Sequence, residues 1–378
     1  MENQKTGRRN FLNKSTKLIG GTVAAGTLAS CSREETEKAS VGSAFNINQN
    51  KKYEWRCVTT WPPNFPVLGE AVVKMAKDLE VMSGGRLKIK VYGGGELVPA
   101  MECFDAVTQG AVQMAHGCSY YWAGKLPSAV FFATIPFGMT AQQINAWLLH
   151  GGGMELWREL YHQFDLEPFP SGNTGVQMGG WFNKEINTID DIKGLKMRIP
   201  GMGGDVFAKA GGAPISIAGG ELYTNLERGV IDATEWIGPY HDYLMGFHKI
   251  AKYYYYPGWH EPGSNLELMV NKNAYDSLPP DLQEMIKAVC LKYNLWVLTE
   301  FEAKNNFYMQ KILAESDVEV RKFPDEVLKN LKKYADERVA EITASDPFAQ
   351  RVYESFSKFK KDIIQWGETS DQAIMPYL

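Results

Sequence analysis

Hydrophobic and polar positions from Tyr53 onward follow two alternating periods. Tyr53–Thr60 alternates like a strand, and Pro66–Met82 sets Val67, Ala71, Val72, Met75, Leu79 and Met82 at helical spacing before Ser83-Gly84-Gly85 stops it. Arg86–Tyr92 alternates strictly, with Leu87, Ile89 and Val91 on one side and the basic residues on the other. Ala100–Gln109 reads as a short helix and Ala111–His116 as a strand. This β-α-β-α-β rhythm predicts an open, mostly parallel sheet.

The rhythm then repeats. Gln177–Asn183 reads as a strand, Ile189–Ile199 as a turn and a strand, Gly203–Lys209 and Gly220–Arg228 as helices, and Val230–Trp236 as a strand. Asp105–Ala115 aligns with Thr224–Thr234: in each, a helix ends at glycine and passes into a strand, as two lobes of like topology would. After Pro262 the pattern turns helical. Pro279-Pro280-Asp281 starts a helix running to about Glu315, with Leu282, Ile286, Val289, Tyr293, Val297, Phe301, Phe307 and Ile312 among its apolar positions. It is about 50 Å long, more than one lobe needs. Pro324–Thr343 and Pro347–Trp366 read as amphipathic helices, and the lysines among them, such as Lys332, Lys333, Lys360 and Lys361, as a solvated face.

Composition narrows the class. At 44% hydrophobic and 22% charged, the 378-residue chain is globular in composition, and its net charge of −4 gives no basic footprint for nucleic acid. No apolar run of about 18 residues lies in the body, so no spanning helix is expected. Residues 1–30 read instead as an export signal: Arg8-Arg9 with Phe11-Leu12 resembles a twin-arginine signal, and Leu28-Ala29-Ser30-Cys31 a lipoprotein box that would lipidate Cys31. Polar residues 31–50 read as a tether. Cys57, Cys103, Cys118 and Cys290 are widely spaced with no C-x-x-C pair. They read as buried thiols rather than disulfides or a zinc site.

No H-E-x-x-H, G-x-S-x-G, P-loop or dinucleotide fingerprint is present. Gly93-Gly94-Gly95 and Gly201-Met202-Gly203-Gly204 read as tight turns, since the Lys-Ser/Thr of a phosphate cradle is missing. His116 and Cys118 are two apart, the spacing of a conceivable Cys–His pair, but the pattern gives little else for it. Ile231–Tyr240 and Tyr253–Gly263 each enclose a glutamate, Glu235 and Glu261, in an aromatic, glycine-punctuated run where an unpartnered carboxylate is costly to bury. Gln177, Glu235, Glu261 and the Trp236 carbonyl would suit a hard cation; the competing reading pairs each glutamate in a salt bridge elsewhere. Arg198, at a strand end before Ile-Pro-Gly, is either a surface arginine or a fork for a ligand carboxylate. His260 reads as structural or on the rim. Trp61, Tyr120 and Tyr121 are aromatic residues at strand ends; packing is the default, and one phenol could reach across a cleft.

The runs Leu195–Gly201, Leu226–Trp236 and Tyr254–Trp259 resemble the solute-binding proteins of tripartite ATP-independent periplasmic (TRAP) transporters, nearest to the branch that binds 2-oxo acids such as pyruvate. The resemblance spans about Tyr53 to the C-terminus. It implies an α/β, two-lobed periplasmic binding protein fold with a long lobe-spanning helix: a first lobe at 51–174 joined by part of 262–300, a second at 175–261, and C-terminal helices packing on both. It also implies that Arg198 pairs with the ligand carboxylate and that Gln177, Glu235, Trp236 and Glu261 hold a sodium or calcium ion bridging to it, with Tyr121 and Trp61 beside the ligand. Membrane permease subunits are the implied partners, and a homodimer through a swapped terminal helix is possible in this branch. Cys31 departs from the many freely soluble relatives and implies a periplasmic receptor tethered by lipid. The residues leave two other readings open: an exported metal-dependent enzyme acting on small carboxylates, and a lipid-anchored carboxylate sensor.

Overall fold

The computed structural model describes residues 50–378; the twin-arginine and lipidation signals, Cys31 and nearly all of the tether lie outside them. Eleven strands make two sheets among the described residues: β1 Tyr53–Thr59, β2 Leu87–Tyr92, β3 Met114–Gly117, β4 Leu166–Asn173, β5 Gly180–Phe182, β6 Lys196–Arg198, β7 Ala213–Ile215, β8 Ala233–Thr234, β9 Tyr253–Tyr256, β10 Asn265–Asn271 and β11 Glu319–Lys322. The first sheet has the order β2-β1-β3-β10-β4 and the second β11-β9-β5-β8-β6-β7. Each is the centre of one lobe.

The sheets are mixed rather than mostly parallel. β1 pairs in parallel with β2 and β3, but β10 runs antiparallel to both β3 and β4. In the second sheet β5 is antiparallel to β8 and β9. The expectation that the chain turns helical after Pro262 is corrected at β10, whose seven residues are all buried between two neighbours in the first sheet. A strand covered on both faces loses the alternation that would reveal it. β11 also joins the second sheet from beyond the long helix. The strand expected at Gln177–Asn183 shrinks to Gly180–Phe182, because Gly180 turns to φ 115° and leaves Gln177 in irregular backbone.

The helix–glycine–strand echo holds in three dimensions. Helix Cys103–Thr108 leads to β3 through Gly110 at φ 71°, and helix Leu222–Glu227 leads to β8 through Gly229 at φ 69°. Both glycines adopt the left-handed conformation that closes helix ends. Gly201-Met202-Gly203-Gly204 is not a turn but the first part of helix Gly201–Lys209.

Helix Pro280–Glu315 begins and ends where its sequence pattern predicts. It packs on β4 and helix Leu68–Met82 in the first lobe and on helix Pro239–Leu244 in the second, so it spans both. Helix Asp325–Ser345 covers helix Gly201–Lys209, and helix Pro347–Thr369 covers helices Ala141–His150 and Gly153–His162. Aromatic stacks fill the interior of each lobe: Phe132 lies between Trp147 and Trp157, and Trp181 lies on Tyr254 at 3.9 Å. No described helix is long and apolar enough to cross a membrane. The four cysteines at 57, 103, 118 and 290 are free and buried.

Candidate functional site

β6 ends at Arg198, and β8 delivers Glu235 beside it: the two strands pair in parallel, and the Glu235 N–H donates to the Arg198 carbonyl at 3.2 Å. Arg198 is no surface residue, being 2% exposed. Its Nη1 donates to the Glu235 carbonyl at 3.1 Å and to Glu235 Oε1, while Nε donates to the Ile217 carbonyl at 3.4 Å. None of these bonds uses Nη2. The guanidinium carbon sits 5.0 Å from the Trp236 ring, a cation–π placement.

The loop after β9 brings the second glutamate. Backbone bonds tie it to the segment before β5: Gly258 N–H donates to the Gln177 carbonyl at 2.9 Å and Gln177 N–H to the Glu261 carbonyl at 3.2 Å. Glu261 Oε2 accepts from Gln177 Nε2 at 2.7 Å and from Ser264 Oγ. Gln177 Nε2 also donates to Thr174 Oγ1 at 3.1 Å, which fixes the amide so that its oxygen faces away from these partners. That oxygen, Gln177 Oε1, is buried and has no hydrogen-bond partner. Burial first, then the charge of Glu235, pushes the Glu261 carboxyl up to about 7.

His260 is not on the rim. It is buried, and its Nε2 lies 3.2 Å from Glu235 Oε2, while Nδ1 has no partner. Among the described residues, Glu235, His260 and Glu261 form a group whose potential ligand atoms all lie within 4.8 Å of one another. Sequence alone missed this because the partner of His260 is 25 positions away. Gly203 makes room for it: a Cβ there would come within 3.0 Å of the His260 Cβ.

The aromatic candidates approach from the first lobe. Tyr120 lies against Gly201, and its ring is 4.9 Å from that of Tyr121. Burial holds the Tyr121 phenol protonated; the nearby Arg198 charge opposes that shift, and Glu261 and Glu235 add to it. The Trp61 indole N–H is committed to His116 Nδ1 at 2.9 Å, and its ring stands edge-on to that of Tyr121 at 6.4 Å. Trp236 likewise uses its indole N–H on His241, at 3.2 Å. The Cys–His reading fails. His116 uses both nitrogens, on Trp61 and on the Ser171 carbonyl, and burial pushes it down to about 4, whereas burial raises the Cys118 thiol well above its ordinary value.

Hard cations take oxygen donors, and the two carboxylates with a partnerless amide oxygen fit one. The N–H groups of Arg198 Nη2, which none of its bonds to Glu235 and Ile217 uses, are left for a small carboxylate.

The pattern of the DctP family, bacterial extracellular solute-binding proteins of family 7, matches residues 57–346. The chain belongs to this family. The monocarboxylate 2-oxoacid-binding periplasmic protein of Nostoc sp. is 39% identical to this DctP-family chain over 96% of each. A TRAP periplasmic solute-binding protein of Pseudoalteromonas atlantica T6c, solved with bound sodium and pyruvate, is 46% identical with a TM-score of 0.84; the match covers 87% of this chain and 100% of that one. Its counterpart from Colwellia psychrerythraea, solved with calcium and pyruvate, is 45% identical with the same TM-score and the same coverage. The two-lobed α/β architecture of this DctP-family chain is thus that of a TRAP solute-binding receptor.

Proposed function

We propose that this receptor captures a small 2-oxo acid such as pyruvate together with a sodium or calcium ion and delivers it, chemically unchanged, to the membrane permease of a TRAP transporter. One observation carries the reading: a buried guanidinium is ion-paired with Glu235, whose carboxylate clusters with that of buried Glu261, and the amide that holds Glu261 leaves its own oxygen, Gln177 Oε1, without a partner. Arg198 pairs with the ligand carboxylate. Gln177, Glu235, Glu261 and the Trp236 carbonyl hold the ion, which supplies positive charge to the ligand's other oxygens. Tyr121 and the Trp61 ring edge close the first-lobe side. Ligand bridging both lobes favours the closed form, with lobes dividing near residues 174 and 261.

Three carboxylates, one from the ligand, would face one guanidinium. Calcium balances them, while sodium leaves one negative charge over, so calcium is the tighter partner in this reading. The sequence supports periplasmic placement after twin-arginine export, with a lipid on Cys31 and residues 31–50 as tether; homodimerisation remains a further part of the proposal. Native mass spectrometry of the purified protein tests the core claim. Pyruvate and a cation bound together, released unaltered, and lost in Arg198→Lys, support it; turnover of the acid, or no monocarboxylate binding at all, overturns it.

A further inference from the structure

Residues 62–67 follow β1 and belong to the first lobe, yet the second lobe grips them. The Phe65 ring sits edge-on to Trp236 at 5.8 Å and to His241 at 5.0 Å. The Pro66 carbonyl lies 2.8 Å from His241 Nε2. A carbonyl only accepts, so Nε2 carries the proton, and Nδ1 accepts from the Trp236 indole at 3.2 Å. Phe301 of the spanning helix backs the imidazole ring at 4.9 Å. The far edge of Trp236 fits against Gly219, where a Cβ would come within 2.5 Å. A chain of contacts thus runs from a first-lobe carbonyl through His241 and Trp236 to the face of Arg198.

The gripped segment is held in unfavourable backbone. Val67 adopts φ 56° and ψ −65°, rare for a β-branched residue, and Asn64 adopts φ 54°. Such conformations persist only where surrounding contacts hold them. The first lobe contains a similar unit, Trp61 to His116 to the Ser171 carbonyl, but all three members lie in one lobe, on β1, β3, β4 and their ends. Only the second unit crosses the cleft.

We propose that Phe65 and Pro66 with Trp236 and His241 form an interlobe clasp that sets how long the closed receptor lasts, and that His241 is the positioning residue fixing the Trp236 indole over Arg198. The proposal extends the receptor reading given above. Opening the cleft breaks the Pro66–His241 bond and the two Phe65 ring contacts, and of the residues proposed to hold the ion only Trp236 takes part, through its ring and not its carbonyl. The clasp therefore acts on release rather than on capture.

Stopped-flow measurements with pyruvate and excess calcium on the full chain test this. Phe65→Ala and His241→Phe should each raise the dissociation rate about tenfold and leave the association rate within about twofold, since each loses contacts of roughly that worth. The double variant should fall short of the product of the two, because the residues share one contact. His241→Gln, whose amide still reaches a carbonyl, should recover part of the loss. A slower association with unchanged dissociation, or independent effects of the two variants, overturns the clasp. Hydrogen exchange without added ligand separates the two proposals. His241→Phe should speed exchange in the first-lobe segment around residues 64–70 as well as in its own helix. That result stands even if wild-type protein ignores pyruvate, which sinks the receptor reading alone; exchange confined to the second lobe sinks the clasp.

Discussion

Glu267 and Glu261 are both fully buried acids, six residues apart, and burial pushes both up to about 7. Their surroundings differ. Glu267, in the middle of β10, spends one oxygen on the Trp122 indole at 2.6 Å and the other on the Tyr161 hydroxyl at 2.8 Å. Both donors are neutral side chains packed in the first-lobe core, so the cluster is finished. Glu261 crowds two donors, Gln177 and Ser264, onto Oε2, and Glu235 adds a second carboxylate. Around it, Gln177 Oε1 and His260 Nδ1 have nothing to bind. Equal burial and an equal shift therefore mark two different things. The difference lies in the neighbours: Glu267 spends each oxygen on a neutral donor, whereas Glu261 faces a second carboxylate and a histidine within 4.8 Å beside a partnerless amide oxygen.

The sharpest way to break that contrast is to remove each charge in turn. Glu261→Gln should weaken cation-dependent pyruvate binding by about a thousandfold, near 4 kcal/mol, because it deletes an ion ligand and leaves an amide donor aimed at the cation. Glu267→Gln should leave affinity within about threefold. Calorimetry with calcium present reads both, and comparable losses in the two variants would erase the distinction.

The next effect is on stability and belongs to Glu267. Its folded value is raised from 4.5 to about 7, so between those limits the folded chain keeps a proton that the unfolded chain has released. Stability from this group is therefore full below about pH 4.5 and is lost as pH rises through about 7, by about 3 kcal/mol in all. Urea unfolding across that window should show a downward slope that is shallower in Glu267→Gln. An unchanged slope would mean that the shift is absent.

Slightly smaller is stabilisation by ligand. Pyruvate and calcium at about a hundred times their dissociation constant should add about 2.7 kcal/mol, or about 5 °C in Tm. Glu267→Gln should keep the increment and Glu261→Gln should lose it. Scanning calorimetry of the three proteins decides.

How much of this contrast could be read from the chain follows from its physics. Arg198 and Glu235 were legible because Arg198 ends β6 and Glu235 directly follows β8, each a few residues before a Pro/Gly pair, and the long helix because Pro-Pro-Asp fixes its start. β10 was not, since burial on both faces removes alternation and Glu267 in its centre mimics an exposed position. His260 was not, since its bond to Glu235 depends on loop closure between distant segments. The second helices of the first lobe, Ala141–His150 and Gly153–His162, lie in a stretch whose glycines at 151–153 break the periodic signal. Local pattern thus found the residues that carry charge, and missed those whose role is set by what packs against them.

The smallest effect tests the partnerless oxygen itself. Thr174 Oγ1 accepts one of the two bonds from Gln177 Nε2, and Thr174 has no part in the cluster of glutamates and histidine. Thr174→Val keeps the side chain's shape and removes that acceptor, so the amide is held only through Glu261. Val also removes the hydroxyl's own bond to the Gly175 carbonyl at 3.2 Å, but only the lost acceptor touches Gln177. At about 1 kcal/mol for that bond, the site should lose about fivefold in calcium-dependent affinity for pyruvate. The loss should disappear when binding is measured without the cation, because the ligand carboxylate on Arg198 does not sense which way the amide faces. An equal loss with and without calcium would mean that Thr174 merely supports the fold of the loop. In that case Gln177 Oε1 is a packing accident, and the site would resemble the Glu267 cluster more closely than its geometry implies.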